Sequence, residues 1–267
     1  MTSLIGNAPV DGVDVAALLG IPISAEQERA VQAPLKPCAV IAGAGTGKTT
    51  VMAARVVWLV ASRLVSPEEI LGLTFTNKAT AELSERIESN LTRVGLLTSE
   101  QPRPTVATYD SFAGTLVNDY GAWDGISTGA HLITGARAYQ LAAEVVMGLD
   151  KAPLAATHMG PTFIAQAVVK LAGAMASHDA SPGKVRRADA RWRQMLLAAP
   201  TKRGGDRYAD IDKWLSRVDE REELLDLVAA YQNLKKERGL VEFGDRMVQA
   251  LHLVTHHPRV GEELRAR

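Results

Sequence analysis

Ala42-Gly-Ala-Gly-Thr-Gly-Lys-Thr49 decides how this chain of 267 residues is read. The stretch follows a short apolar run, Cys38-Ala-Val-Ile-Ala42, and opens onto a longer one that holds Arg55 and Arg63. Glycines let backbone N–H groups turn inward on a common centre, and a helix starting there adds its partial positive charge. Ala42, Gly43, Ala44, Gly45, Thr46, Gly47, Lys48, Thr49 and Thr50 therefore read as a phosphate cradle. Lys48 is placed for β- and γ-phosphates and the Thr49 hydroxyl for Mg²⁺, the two candidate catalytic side chains. The strict pattern has glycine at 42, and alanine is small enough to stand in. The bland alternative is a glycine-rich turn with no ligand. Taken alone, the loop supports binding of ATP or GTP and nothing more specific.

Outward from the loop, the pattern predicts a buried strand over 38–42 and a helix over 48–64. A strand over 70–74, a helix over 77–91, a strand over 105–108 and a helix over 110–120 follow. Upstream, residues 13–19 make two helical turns stopped by Gly20 and Pro22, and Ser24-Ala-Glu-Gln27 is a capping box for a helix ending at Pro34. Strands alternating with helices predict an α/β fold with a parallel sheet. From Ala136 onward only helical periodicity remains, with candidates at 136–149, 161–177, 184–198, 211–237 and 242–255. Breaks fall at Pro153, Gly160, Ser181-Pro-Gly183 and Gly204-Gly205, which predicts a helical insert.

Composition narrows the class. The chain is 46% hydrophobic and 22% charged, and its 30 Lys and Arg balance 30 Asp and Glu, so any anion-binding surface is local. One cysteine, Cys38, excludes a disulfide framework, a Cys-ligated zinc site and an iron–sulfur cluster. Asp11 and Asp14 make the N-terminus a poor signal peptide, and no run of 18 uncharged apolar residues spans a membrane. A soluble, cytoplasmic protein with no membrane partner is expected.

Three further stretches align with the loop. Gln27 precedes Lys48 by 21 residues, and its side-chain amide offers the donor and acceptor that an adenine edge needs. Its alternative is a solvated residue on an amphipathic helix. Leu73-Thr-Phe-Thr-Asn-Lys-Ala79 and Ala107-Thr-Tyr-Asp-Ser-Phe112 each leave a predicted strand at its carboxyl end, where open α/β sheets bind ligands. Phe75 there is either a base-stacking ring or a core residue.

Together these motifs, over residues 23–120, resemble the UvrD/Rep/PcrA-type superfamily 1 DNA helicases: a Q motif, Walker A, motif Ia and motif Ib in family order. The resemblance implies a P-loop NTPase with a RecA-like parallel sheet flanked by helices and an all-helical insert subdomain. It implies an ATP-driven motor on single-stranded DNA, usually 3′ to 5′, that unwinds duplex and serves DNA repair. By it, Gln27 reads adenine, Lys48 and Thr49 handle phosphates and Mg²⁺, and Phe75, Thr76, Asn77, Thr108 and Ser111 touch the DNA strand. The implied division is a lead-in over 1–23, the first part of the motor domain over 24–120, the insert over 121–237, and a return toward the motor over 238–267. Thr50 stands where the family often has Arg, and Asp110 where it often has His. Tyr-Asp-Ser and the acidic lead-in look more like the actinobacterial AdnA/AdnB-type helicase–nucleases, which implies a partner helicase–nuclease subunit.

The motor also needs a second acidic motif, an apolar strand ending in Asp-Glu. The one Asp-Glu pair, Asp219-Glu220, sits in a charged helical stretch instead. Leu240-Val-Glu-Phe-Gly-Asp-Arg-Met247 resembles the acidic-aromatic segment preceding that strand in the family. The expectation is a piece ending before the Walker B acids, inactive or weakly active by itself.

Between Lys184 and Arg207, eight Lys and Arg face only Asp189 and Asp206. This is either a contact to single-stranded or duplex DNA or a solvated helix face with Trp192 in the core. His252 and His256, with His257 beside them, have a spacing that can bind a metal, but the intervening Glu of a metalloprotease helix is absent and a solvated helix end is the better reading. Two other classes stay open: a different ATP-using P-loop enzyme such as a small-molecule kinase, and a DNA-binding module with a vestigial loop.

Overall fold

The computed structural model describes residues 10, 12–127, 129–151 and 160–266. Asp11 and the break expected at Pro153 lie outside the described residues. The chain divides into two compact units, Met1–Phe112 with Gly261–Arg267, and Ala113–Val260.

In the first unit, α1 (Val15–Leu19) starts on Asp14, whose carboxylate accepts the Ala17 amide at 3.0 Å, and stops at Gly20 in the left-handed conformation. α2 (Ala25–Val31) carries both arms of its capping box: Ser24 Oγ accepts the Gln27 amide at 3.3 Å, and Gln27 Oε1 accepts the Ser24 amide at 2.9 Å. α3 (Lys48–Ala61) buries Ala53, Ala54, Val56, Val57 and Val60. Its one half-buried cation, Arg55, spends its donors on the carbonyls of Ala30, Val31 and Ala33, at 3.3, 2.9 and 2.7 Å. Those are carbonyls at and just past the end of α2 that lack intrahelical partners, so an apolar helix tolerates an arginine by clamping its neighbour. β1 (Leu71–Thr74), α4 (Asn77–Arg93) and β2 (Thr105–Thr108) complete this layer, β1 and β2 pairing in parallel from Leu71↔Thr105 to Thr74↔Thr108. Val31, Val57, Leu83, Ile87 and Leu91 form the centre of its core. α5 (Tyr109–Tyr120) follows β2 directly.

The second unit runs through β3 (His131–Leu132), α6 (Gly135–Met147), α7 (Pro161–Ser177), α8 (Pro182–Leu197), α9 (Ala209–Glu237), β4 (Leu240–Val241) and α10 (Phe243–His256). α11 (Pro258–Arg265) ends the described elements. Leu141, Val168, Leu225, Val228 and Tyr231 are the core of this unit, supplied by α6, α7 and α9. Most helices expected from periodicity form within a residue or two of their predicted bounds, while the one expected over 48–64 ends at Ala61. Capping supports several of them: Ser181 Oγ accepts the Lys184 amide at the start of α8.

Three expectations are corrected. Residues 38–42 form no strand: Ile41 is 98% exposed, and Val40 and Cys38 are exposed as well. A buried strand needs a ladder partner for its backbone groups, and among the described residues β1 pairs only with β2. The described sheets are therefore two separate parallel pairs rather than one larger sheet. The all-helical reading after Ala136 misses β4, which pairs in parallel with β3 as His131↔Leu240 and Leu132↔Val241. Two residues per strand leave no periodicity to detect. Trp192 is not a core residue either: it is exposed and meets Trp214 of α9 edge to face at 5.4 Å.

Candidate nucleotide and strand site

The glycine loop adopts the turn its composition requires. Gly45 and Gly47 have φ of +77° and +82°, a region where a side chain strains the backbone. At Gly47 a Cβ would also stand 3.1 Å from Gln27 Nε2. The Lys48 ammonium folds over the loop and donates to the carbonyls of Ala42 at 3.1 Å and Gly43 at 2.6 Å. Ala42 contributes only a backbone carbonyl, which is why alanine serves where the strict pattern has glycine. Thr46 Oγ1 donates to the Gly43 carbonyl at 2.9 Å and braces the same turn.

Electrostatically the loop is unbalanced. α3 begins at Lys48 on a Gly47 cap that supplies no side-chain acceptor, and no acidic residue stands in its first turn. The helix end is partially positive, and among the described residues no carboxylate pairs with Lys48. These groups fit a phosphate chain: a cation, free helix-start amides and the exposed hydroxyl of Thr49. Mg²⁺ would enter on Thr49 and the phosphates themselves, supplying charge neutralisation. Among the described residues no cluster of three His, Cys, Asp or Glu stands ready to hold a metal by itself.

Two side chains from other elements reach the loop. Gln27 Nε2 donates to the Thr46 carbonyl at 3.0 Å. With Oε1 on Ser24, one amide hydrogen and one oxygen lone pair remain for a ligand. Arg86 of α4 donates to Thr50 Oγ1 at 3.0 Å. Sequence reasoning singled out Thr50 as a departure yet missed Arg86, because the two are 36 positions apart and no local pattern joins them.

The other candidates gather at the carboxyl end of β1 and β2. Thr76 caps α4, its Oγ1 accepting the Ala79 amide at 3.1 Å, and Asn77 is the first residue of that helix. Thr108 Oγ1 accepts the Ser111 amide at 3.1 Å at the start of α5. Thr76, Asn77 and Ser111 are exposed and Thr108 half-buried. Phe75 is 89% exposed, which removes its core alternative. α4 thus carries the Thr76 cap at one end and, in its third turn, the arginine that meets the loop.

The remaining stretches are accounted for within the second unit. Asp219, half of the Asp-Glu pair, lies on α9 and binds Arg193, so it stands on a helix and not at a strand end. Glu242 and Asp245 both accept from the buried Lys235 ammonium, at 2.7 Å each, and Tyr231 donates to Glu242 at 2.8 Å. Burial, and then the bond to Glu242, hold the Tyr231 phenol far above its ordinary range. Part of the basic run of α8 is matched by α9: Arg186 binds Glu222 and Asp226 at 2.6 Å each and Arg193 binds Asp219, while the run's own buried Asp189 takes Arg221 of α9 in a two-bond grip. Lys184 pairs with Asp179 at 3.6 Å and Arg207 with Asp212 at 2.9 Å. His252 faces Asp179 at 3.4 Å and meets the His256 ring edge to face at 5.3 Å, while His257 faces Asp124 at 2.6 Å. No helix among the described residues is long and apolar enough to cross a membrane.

A glycine turn opening a helix, with a lysine that pairs with no carboxylate among the described residues and an amide and a guanidinium reaching in, is an arrangement that fits a phosphate chain. The model of the UvrD/REP helicase N-terminal domain matches residues 23–267, and the chain belongs to that family. It is similar to a probable DNA helicase II homolog of Rickettsia conorii, 37% identical over 97 residues that cover 36% of this chain and 14% of that protein. It is also similar to the ATP-dependent DNA helicase PcrA of Bacillus subtilis, 48% identical over 65 residues, 24% of this chain and 9% of that one. DNA helicase II of Escherichia coli is 45% identical over 75 residues, 28% of this chain and 10% of its own length. The matched stretches thus span no more than about a seventh of these relatives.

Proposed function

We propose that this chain is the ATP- and single-strand-binding part of an ATP-dependent DNA helicase, coupling hydrolysis in the whole protein to 3′-to-5′ movement on DNA and unwinding. The observation that supports it most is Lys48 poised over the loop at a positively charged helix start, with no carboxylate among the described residues to neutralise it. In this reading Lys48 exchanges the Ala42 and Gly43 carbonyls for β- and γ-phosphate oxygens, gaining a charged acceptor for two neutral ones. The Thr49 hydroxyl faces the Mg²⁺ that accompanies ATP, and Gln27 presents its spare donor and acceptor to adenine.

Phe75, Thr76, Asn77, Thr108 and Ser111 form the face toward the DNA strand. Residues 24–120 make the first part of the RecA-like motor domain, 121–237 the helical insert, 238–267 the return toward the motor, and 1–23 the lead-in. A partner helicase–nuclease subunit belongs to the same reading.

The test is equilibrium binding of a fluorescent ATP analogue, with Mg²⁺, to the chain and to Lys48→Ala. Loss of a charge-assisted contact to phosphate predicts at least a tenfold weaker Kd with unchanged circular dichroism. Equal binding by the two chains sinks the reading.

A further inference from the structure

Tyr109 lies within the Ala107-Thr-Tyr-Asp-Ser-Phe112 stretch but carries no role of its own above, yet it stands against the most exposed ring in the first unit. Thr74 and Thr108 are register partners on β1 and β2, so Phe75 and Tyr109 are the next residue on each of two adjacent strands. Neighbouring strands run about 4.8 Å apart. The two rings follow that spacing, with centroids 5.2 Å apart and planes inclined by 37°. Phe75 is 89% exposed and Tyr109 43% exposed, and neither joins a core cluster. Pairing with each other leaves most of Phe75 and part of Tyr109 in water, an arrangement that favours a flat ligand.

What lies beside the rings selects that ligand. α4 starts two residues after Phe75, on the Thr76 cap, with no acidic residue in its first turn. Lys78, in that turn, is highly exposed and among the described residues pairs only with Glu82, at 3.8 Å. A partially positive helix end and a solvated ammonium next to aromatic faces match the alternation of base and phosphate in a nucleic-acid strand. An apolar peptide would use the rings and leave this charge unanswered.

We propose that Tyr109 is a second stacking residue for the single strand, extending the face begun by Phe75 so that a nucleobase meets a two-ring shelf. The proposal rests on the strand-binding reading above and adds a residue that this reading does not contain. It also gives Tyr109 a contact of its own with the base, beyond orienting Phe75.

The experiment is anisotropy titration of a labelled dT20 oligonucleotide at 50 mM salt against the full 267-residue chain, Phe75→Ala, Tyr109→Ala and Tyr109→Phe. Stacking on one base predicts about tenfold weaker binding for Tyr109→Ala, within the range measured for base–aromatic contacts, and wild-type binding for Tyr109→Phe. A second readout bypasses folding of the variants: a 5-iodouracil-substituted oligonucleotide irradiated on the wild-type chain should yield an adduct on Tyr109 by mass spectrometry. Unchanged affinity of a folded Tyr109→Ala, or adducts confined to Phe75, overturns the proposal while leaving the strand reading in place. If the wild-type chain fails to bind dT20, the strand reading falls and the shelf falls with it.

Discussion

The side-chain amide of Gln27 donates to the backbone carbonyl of Thr46 at 3.0 Å, so the residue that completes the α2 cap also braces the phosphate loop. One side chain therefore sets both the start of a helix and the rim of the site. Gln27→Glu keeps the acceptor for the Ser24 amide but turns a carboxylate on the Thr46 carbonyl. Gln27→Ala removes both contacts. ATP affinity is expected to fall in both variants, with any preference for ATP over GTP reduced. Only Gln27→Ala should lose stability, by about 1 kcal/mol, as for a lost helix cap. Nucleotide competition and urea denaturation on the same samples separate the two effects, and an intact ATP preference in Gln27→Glu would argue against adenine reading.

Arg86 brings a guanidinium to Thr50, beside Lys48 and Thr49. If it adds positive potential for the nucleotide, Arg86→Ala should weaken ATP-analogue binding about tenfold, the scale of one charge-assisted hydrogen bond. Arg86→Lys should fall between. Because the contact is exposed, the melting temperature should barely move. Undiminished affinity in Arg86→Ala would reduce the contact to a surface bond between α3 and α4.

Arg55 ties α3 to the carbonyls at the end of α2 through several hydrogen bonds from one head group. Arg55→Leu leaves those half-buried carbonyls without partners and should cost about 2 kcal/mol in urea unfolding. Arg55→Lys should recover only part, since an ammonium lacks the planar fork.

Tyr231 carries a pH signature. Its folded pKa is raised, by burial first and then by its bond to Glu242, whereas the unfolded chain ionises it near 10.0. A raised folded pKa means stability fully present below the unfolded value and lost as pH rises through and beyond it. At pH 7, Tyr231→Phe should be less stable by about 1 kcal/mol, one hydrogen bond to a charged acceptor shared with Lys235. Above pH 10 the gap should close, because only the wild-type chain gains stability in the unfolded state by ionising this phenol. A gap independent of pH would refute this account.

Cys38 tests the corrected strand. It is exposed, so one thiol per chain should react promptly with a disulfide reagent under native conditions. Protection of the thiol until the chain is denatured would restore the buried-strand expectation.

The glycine loop, the Ser24 cap and the amphipathic helices were legible in the sequence, because each is encoded within a few residues. Gly45 and Gly47 mark their own left-handed turns, and Gln27 announces its cap three residues after Ser24. Gln27's further bond to Thr46, and Arg86's to Thr50, join segments that no local period connects. The same limit explains the misreadings. The 38–42 run is as apolar as a buried strand, but apolarity does not supply a neighbour to pair with. The positive charge of α8 is real in the sequence, and only the packing of α9 shows that Glu222 and Asp226 answer Arg186. Short-range hydrogen bonding and helical periodicity determined the elements and the phosphate loop. Which side chains surround the loop, which charges stay unpaired and which rings stand in water were decided by tertiary packing, since burial and pairing are properties of distant segments brought together.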